Sequence, residues 1–343
     1  MRGAHTQTEI ATQVDAWTNA VDVIKSNEAA IRSFWRNGGY DTVIFTGCGS
    51  THYLSMIAAN YMQSTTGIAA RAVPASELIF HPEAIYAKNS KPLLVTISRS
   101  AETTETVRAA RAFKDQYGDH VVTIANYGDR PLNEFATLEL IAPAGQEQSV
   151  AQTRSFSAMT VLAEGFIRVI GGQSYAQTSV KRTNADIQSL ADFVEPYSNP
   201  ANYSQYFYLG SGPRFGLAEE AMLKMKEMSL TYAEAYHPME FRHGPMSMVD
   251  QQTVVVGLLG EEAYEAERTV LDEMKALGAA TLCIAPHEAA DYVVDASPSL
   301  PTLVQYLPMI QWLAFSRAIQ KGLDPDNPRN LTSVVHLQDE FSG

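Results

Sequence analysis

The chain of 343 residues is 45% hydrophobic and 18% charged, enough apolar mass for a sizeable core and for two domains rather than one. Its 38 acidic against 25 basic side chains leave a net charge of −13, which excludes a general nucleic-acid surface or an anionic-membrane surface. Cys48 and Cys283 are too few for a disulfide framework; with no apolar leader and no apolar run of about 18 residues, the expectation is a soluble, cytoplasmic protein.

Residues 8–35 read as one helix, because Ile10, Val14, Trp17, Val21, Ile24 and Ile31 recur at helical spacing. Gly38-Gly39 ends it. Residues 42–46 (TVIFT) read as a buried strand running into Gly47-Cys48-Gly49-Ser50-Thr51, and the next helix turns Leu54, Ile57, Ala58 and Met62 inward. The turn is like a dinucleotide fingerprint with Leu54 in place of the third glycine; a lone GxG also describes an ordinary strand–helix corner. Strands near 70–73 and at 93–97, 121–125 and 138–142 alternate with helices, which implies a parallel sheet covered on both faces.

The stretch 93–107 (LLVTISRSAETTETV) carries the first chemistry. An apolar strand stops at Ser98-Arg99-Ser100, and a helical pattern opens in which Val107, Ala110 and Phe113 share a face. Ser98, Ser100 and Thr103 thus stand at a helix start, where free N–H groups and the dipole favour an anion. Hydroxyls add donors without bulk, which suits a phosphate monoester; plain N-capping, with Ser100 as cap and Thr103 filling the first turn, is the structural alternative. In such sheets ligands bind beyond the carboxyl ends of the strands, and both hydroxyl-rich turns lie there.

Gln152-Thr153-Arg154-Ser155 precedes a helix at 156–170, Gly171-Gly172 breaks it, and a polar helix to about Phe193 leads to a join at 196–200. The pattern then restarts: a strand at 206–209, Gly210-Ser211-Gly212, and a helix at 217–228. Gly210 and Gly212 align with Gly47 and Gly49, so the second half reads as a diverged copy, with Pro213 and Arg214 in place of Ser50 and Thr51. Strands at 254–258 and 281–284, helices at 263–277 and 303–321, and a tail reading LDPDNPRNLTSVVHL complete it. The expected division is a helical segment 1–35, a first domain 36–171, a connection 172–200, a second domain 201–322 and a tail 323–343.

In the repeated helix, Glu220, Lys224 and Glu227 are spaced i, i+4, i+7 and line one face. A solvated ladder of charges is the bland reading. Leu217, Ala221 and Met228 crowd the same region, so a carboxylate there suits a proton shuttle, while Met222, Met225 and Met228 read as core. His243, before Gly244-Pro245, sits on a loop, and His237 is close enough in sequence to share its site. The histidines lack a third ligand at metal-binding spacing, and Cys48 has no adjacent base to make it a nucleophile.

Together SRSAET, VAQTRSF, EEAMLKMKE, EFRHGP and DPDNPRNL resemble the tandem sugar-isomerase (SIS) domains of the isomerase half of glucosamine-6-phosphate synthase and its relatives, from about residue 40 onward. The resemblance implies two flavodoxin-like α/β subdomains, a homodimer, a sugar 6-phosphate ligand and no cofactor. It assigns Thr51, Ser98, Arg99, Ser100 and Thr103 to the phosphate, Glu227 to proton transfer between C1 and C2, and His243, supplied by the neighbouring subunit, to ring opening. Lys224 joins the catalytic set, and Gly49, Ser50, Gln152, Glu220 and Ser333 the substrate contacts. Three departures matter. There is no glutaminase domain, so a complete synthase is not expected. Arg99 replaces a glutamine. Ser333 replaces a lysine expected to stabilise charge at the sugar oxygen. The reading that follows is an enzyme of amino-sugar or fructosamine 6-phosphates working through an enediol-type intermediate as a deaminase or deglycase. Ketose–aldose isomerisation is the first alternative, and a non-catalytic phosphosugar-binding regulator the second.

Overall fold

The computed structural model describes residues 2–297, 299 and 301–335; the end of the tail, from 336, lies outside the described residues. In chain order, α1 (Ala4–Ala11) and α2 (Gln13–Gly38) precede β1 (Thr42–Gly47), α3 (Ser50–Thr66), β2 (Ala69–Pro74) and the short α4 (Ala75–Phe80) and α5 (Pro82–Ile85). Then come β3 (Pro92–Ser98), α6 (Thr104–Tyr117), β4 (Val121–Ala125), β5 (Leu138–Ile141) and α7 (Arg154–Ile170). The second series is α8 (Asn184–Ser198), β6 (Gln205–Gly210), α9 (Pro213–Ser229), β7 (Tyr232–Tyr236), α10 (Pro238–Phe241) and β8 (Thr253–Leu258). It ends with α11 (Tyr264–Ala276), β9 (Ala280–Ala285), β10 (Tyr292–Val293) and α12 (Leu307–Gln320).

Two parallel five-stranded sheets result, ordered β2-β1-β3-β4-β5 and β10-β9-β8-β6-β7. Counted from its own first strand, each is 2-1-3-4-5, the flavodoxin-like order, with its reversal between first and third strands. The duplication expected from the glycines is therefore a duplication of topology. β3 is buried at all seven positions and β8 at all six, as strands covered by helices on both faces must be.

The chain forms two compact units. Of the described residues, one contains those within 2–15, 147–154 and 178–331, with the second sheet; the other contains 16–146, 155–177 and 332–335, with the first sheet. The segment Glu147–Arg154 thus packs with the second sheet although it leaves the first.

The single helix expected at 8–35 is two helices. Thr12, with φ −107° and ψ 14°, breaks it, and Gln13 donates to the Ile10 carbonyl (2.9 Å) and to Gln311 (3.0 Å). No glycine or proline marks the break; buried amide pairing makes it. α8 runs to Ser198 through Pro196, from a Thr183/Asp186 capping box. β7 was not legible: its tyrosines and Glu234 lie on the more exposed side and only Ala233 and Ala235 face the other way, a weak apolar signal.

Candidate active site

The first rim is built on Gly49, which caps α3 at φ 58°, ψ −127°; its counterpart Gly212 caps α9 at φ 54°, ψ −132°. Only glycine adopts this conformation without strain. A Cβ on Gly49 would meet nothing within 4 Å, so the space over the turn is open. Thr51 closes the turn: its hydroxyl accepts from the Cys48 N–H (2.9 Å) and donates to the Cys48 carbonyl (3.0 Å). Its one proton is spent there, so the expected phosphate donor is a turn-former in this conformation. Gly47 is needed for that closure, since its Cβ would lie 2.5 Å from the Thr51 oxygen. Ser50 is buried beside it. Burial pushes the Cys48 thiol up to about 11, with a smaller upward push from Glu105 and downward ones from its Thr106 and Ala75 hydrogen bonds, which disarms it as a nucleophile.

The second turn of this rim follows β3. Ala101, fully buried at φ 56°, reverses the chain, and its N–H donates to the Ser98 hydroxyl (3.1 Å) while the Glu102 N–H donates to Ser100 (3.2 Å). Both serine oxygens therefore accept from the main chain and keep their own protons to donate. The N-cap of α6 is Thr103 rather than Ser100, and its side chain makes no capping hydrogen bond. Asn126 N–H to the Arg99 carbonyl (3.2 Å) and Leu132 N–H to the Ala101 carbonyl (3.0 Å) pin the turn from behind. The hydroxyls of Ser98, Ser100 and Thr103 are thus gathered at the N-terminus of α6, the end of a helix that favours an anion.

Arg99 is buried, and its guanidinium donates to the Ser333 carbonyl (2.7 Å). The two departures from the family pattern thus meet. It is the main chain of Ser333, not its exposed side chain, that the arginine holds.

The other unit carries the charged cluster. Lys224, 1% exposed, lies 3.3 Å from Glu220 (2% exposed) and 2.5 Å from Glu227 (19% exposed). The solvated-ladder reading is excluded, and of the three only Glu227 reaches solvent. Burial alone would lower the Lys224 pKa, but Glu220, Glu227 and Glu147 outweigh it and raise it, so the ammonium is held charged. Glu147 was not singled out in the sequence. It accepts from the Thr153 N–H and hydroxyl (both 3.1 Å) in the loop that leads into α7. Gln152, in the same loop, has a buried carbonyl oxygen without a hydrogen-bond partner. His243 is exposed after α10, its N–H bonded to the Glu240 carbonyl (2.9 Å). His237 stacks on Phe215, with ring centroids 4.0 Å apart. Among the described residues no three His, Cys, Asp or Glu side chains gather into a metal-binding set.

The glycine repeat, the matching sheet orders and this acid–lysine helix all point to one family. The family model of the SIS domain matches residues 40–168 and 201–297. The chain belongs to the SIS domain family. It is 28% identical over 341 residues to glutamine–fructose-6-phosphate aminotransferase (isomerizing) of Idiomarina loihiensis, covering 93% of this chain and 53% of that protein. The protein of the same name from Gluconobacter oxydans is 29% identical over 325 residues, 86% of this chain and 52% of that one. The SIS chain thus spans about half the length of the curated relatives it matches. Its structure is similar to glucosamine-6-phosphate deaminase from Thermotoga maritima, at TM-score 0.75 and 25% identity over 93% of this chain and 100% of that one. It shares its fold with tagatose-6-phosphate ketose/aldose isomerase from Escherichia coli, at TM-score 0.80 and 24% identity over 99% and 98%. Among the described residues no helix of the SIS chain is long and apolar enough to cross a membrane.

Proposed function

We propose that the chain is an enzyme that removes the amine from an amino-sugar or fructosamine 6-phosphate. The observation that carries this is the Lys224 cluster: a buried ammonium pairs with two carboxylates, of which one, Glu227, has access to solvent. Ser98, Ser100 and Thr103 donate to the phosphate, with the N-terminus of α6 beneath it, which makes proton transfer on the sugar effectively intramolecular. Arg99, engaged with the tail, contributes positive charge beside these hydroxyls and orders the chain around Ser333. His243, supplied by a second copy in a homodimer, opens the ring. Glu227 then moves a proton between C1 and C2 through an enediol-type intermediate, and the resulting imine takes up water and releases the amine. The relatives named for glucosamine-6-phosphate deamination and for fructose-6-phosphate amination support the amine-bearing substrate class. Stopping at the proton transfer gives the second reading, ketose–aldose isomerisation, which needs Lys224 or Arg99 to supply the charge stabilisation expected of a lysine where Ser333 stands.

The test is incubation with glucosamine 6-phosphate, fructosamine 6-phosphates and ketose 6-phosphates, following released amine and the hexose phosphate formed. Amine release in step with a hexose 6-phosphate is expected. Interconversion of ketose and aldose phosphates with no amine release from any substrate refutes the deaminase reading in favour of the isomerase.

A further inference from the structure

Glu102 stands inside the hydroxyl-bearing turn: Ser100 lies two residues before it, Thr103 directly after, and its N–H donates to the Ser100 hydroxyl (3.2 Å). Consecutive Cα atoms are about 3.8 Å apart, so its carboxylate stays within roughly 10 Å, a Debye length at 0.1 M salt, of an anion held there. A carboxylate at that range opposes a phosphate. Its charge is met by Arg130, whose guanidinium lies 2.9 Å away. Arg130 comes from another strand end, the loop after β4, and that loop is fixed to the turn. The N–H groups of Asn126 and Leu132 donate to the Arg99 and Ala101 carbonyls (3.2 and 3.0 Å). Between them Asp129 takes a left-handed φ of 56°, and the Arg130 N–H donates to the Asn133 side chain (3.2 Å), which donates in turn to Glu139 (2.9 Å). The guanidinium also lies over the Tyr127 ring, 5.8 Å from its centroid. All of these residues belong to the unit of the first sheet.

We propose that Arg130 sets the charge of the phosphate site: by cancelling Glu102 it lets the hydroxyls of Ser98, Ser100 and Thr103 take a phosphate dianion. This role rests on those hydroxyls being the phosphate site, as proposed above. A plain staple between loop and turn is the alternative, and the two differ in sign. Glu102→Gln and Arg130→Gln each break the same ion pair, so loss of a staple weakens phosphate binding in both. Loss of charge balance acts in opposite directions, because one variant removes the negative charge and the other leaves it uncompensated.

The experiment is calorimetric titration of the full chain with inorganic phosphate, at low salt and at about 1 M sodium chloride, where charges are screened within about 3 Å. Arg130→Gln is expected to weaken binding about fivefold at low salt and less than about twofold at high salt. Glu102→Gln is expected to bind as tightly as the unsubstituted chain or more tightly, and the double variant to lie within about twofold of it. Weakening in both single variants reveals a staple and overturns the proposal. A loss in Arg130→Gln that Glu102→Gln does not repair marks a direct contact with the anion and overturns it too, as does no loss at all. Arg130→Met takes the place of Arg130→Gln if that variant does not fold. Ser98→Ala with Thr103→Val separates the two readings. Phosphate binding kept by that variant, or none by the unsubstituted chain, refutes the phosphate site and the role of Arg130 with it. Binding lost there but unchanged in Arg130→Gln refutes the role of Arg130 alone.

Discussion

The two sheet rims are copies in backbone and opposites in chemistry. Gly49 and Gly212 differ by only a few degrees in φ and ψ, and each opens a 17-residue helix at the reversal of a 2-1-3-4-5 sheet. At the first rim, serine and threonine hydroxyls surround open space. At the second, Arg214 pairs with Glu262 (2.7 Å), and a Cβ on Gly260 would lie 1.8 Å from its guanidinium. Ser211 donates to Glu267, whose carboxyl is pushed up by burial and by Glu262, against the pull of Ser211, Arg214 and His237. The space over Gly212 is as open as that over Gly49, but at the second rim the arginine is already paired and two carboxylates, Glu262 and Glu267, stand beside it. Duplication copied the turn, and the side chains placed on it differ between the two copies.

Ways to break that comparison begin with the largest effect. Ser98→Ala with Thr103→Val removes two hydrogen bonds to a charged group, about 1.5–3 kcal/mol each, so KM for the sugar phosphate is expected to rise about 100-fold or more. Ser211→Ala is expected to leave KM unchanged. Equal effects at both rims, or none at the first, mean the anion site is elsewhere.

Next, Gly49→Ala and Gly212→Ala each force a side chain into strained backbone and are expected to cost about 1–3 kcal/mol, read as similar drops in Tm. Only Gly49→Ala is expected to weaken phosphate binding as well. Loss of binding in both would erase the distinction.

The smallest effect concerns Glu267. Its folded pKa is raised, so its contribution is present below the unfolded value near pH 4.3 and lost as pH rises through the folded pKa. Glu267→Gln keeps an acceptor for Ser211 without the buried charge. Its Tm relative to the unsubstituted protein is expected to climb as pH goes from about 4 to 8; a falling difference would show the charge to be stabilising.

The fold was legible where burial writes a strong pattern. The fully apolar strands β3 and β8 and the paired GxG turns gave the parallel sheets and their repetition. The Glu220–Lys224–Glu227 face was legible too, because helical spacing brings those residues together whatever packs around them. Other features depend on long-range contacts that leave no local mark. The break at Thr12 is made by an amide on α12, a partner far away in the chain. The spent proton of Thr51 lies below what spacing can tell, since a hydroxyl at a helix start serves a ligand or its own turn equally well.

The most direct test of the account is the rate of amine release at saturating sugar phosphate by the unsubstituted chain and by Glu227→Gln. Loss of the proton-transferring carboxylate is expected to slow release about 10²–10⁴-fold with KM little changed. Release by Glu227→Gln at the unsubstituted rate would contradict the assignment of the proton to Glu227 and, with it, the proposed chemistry.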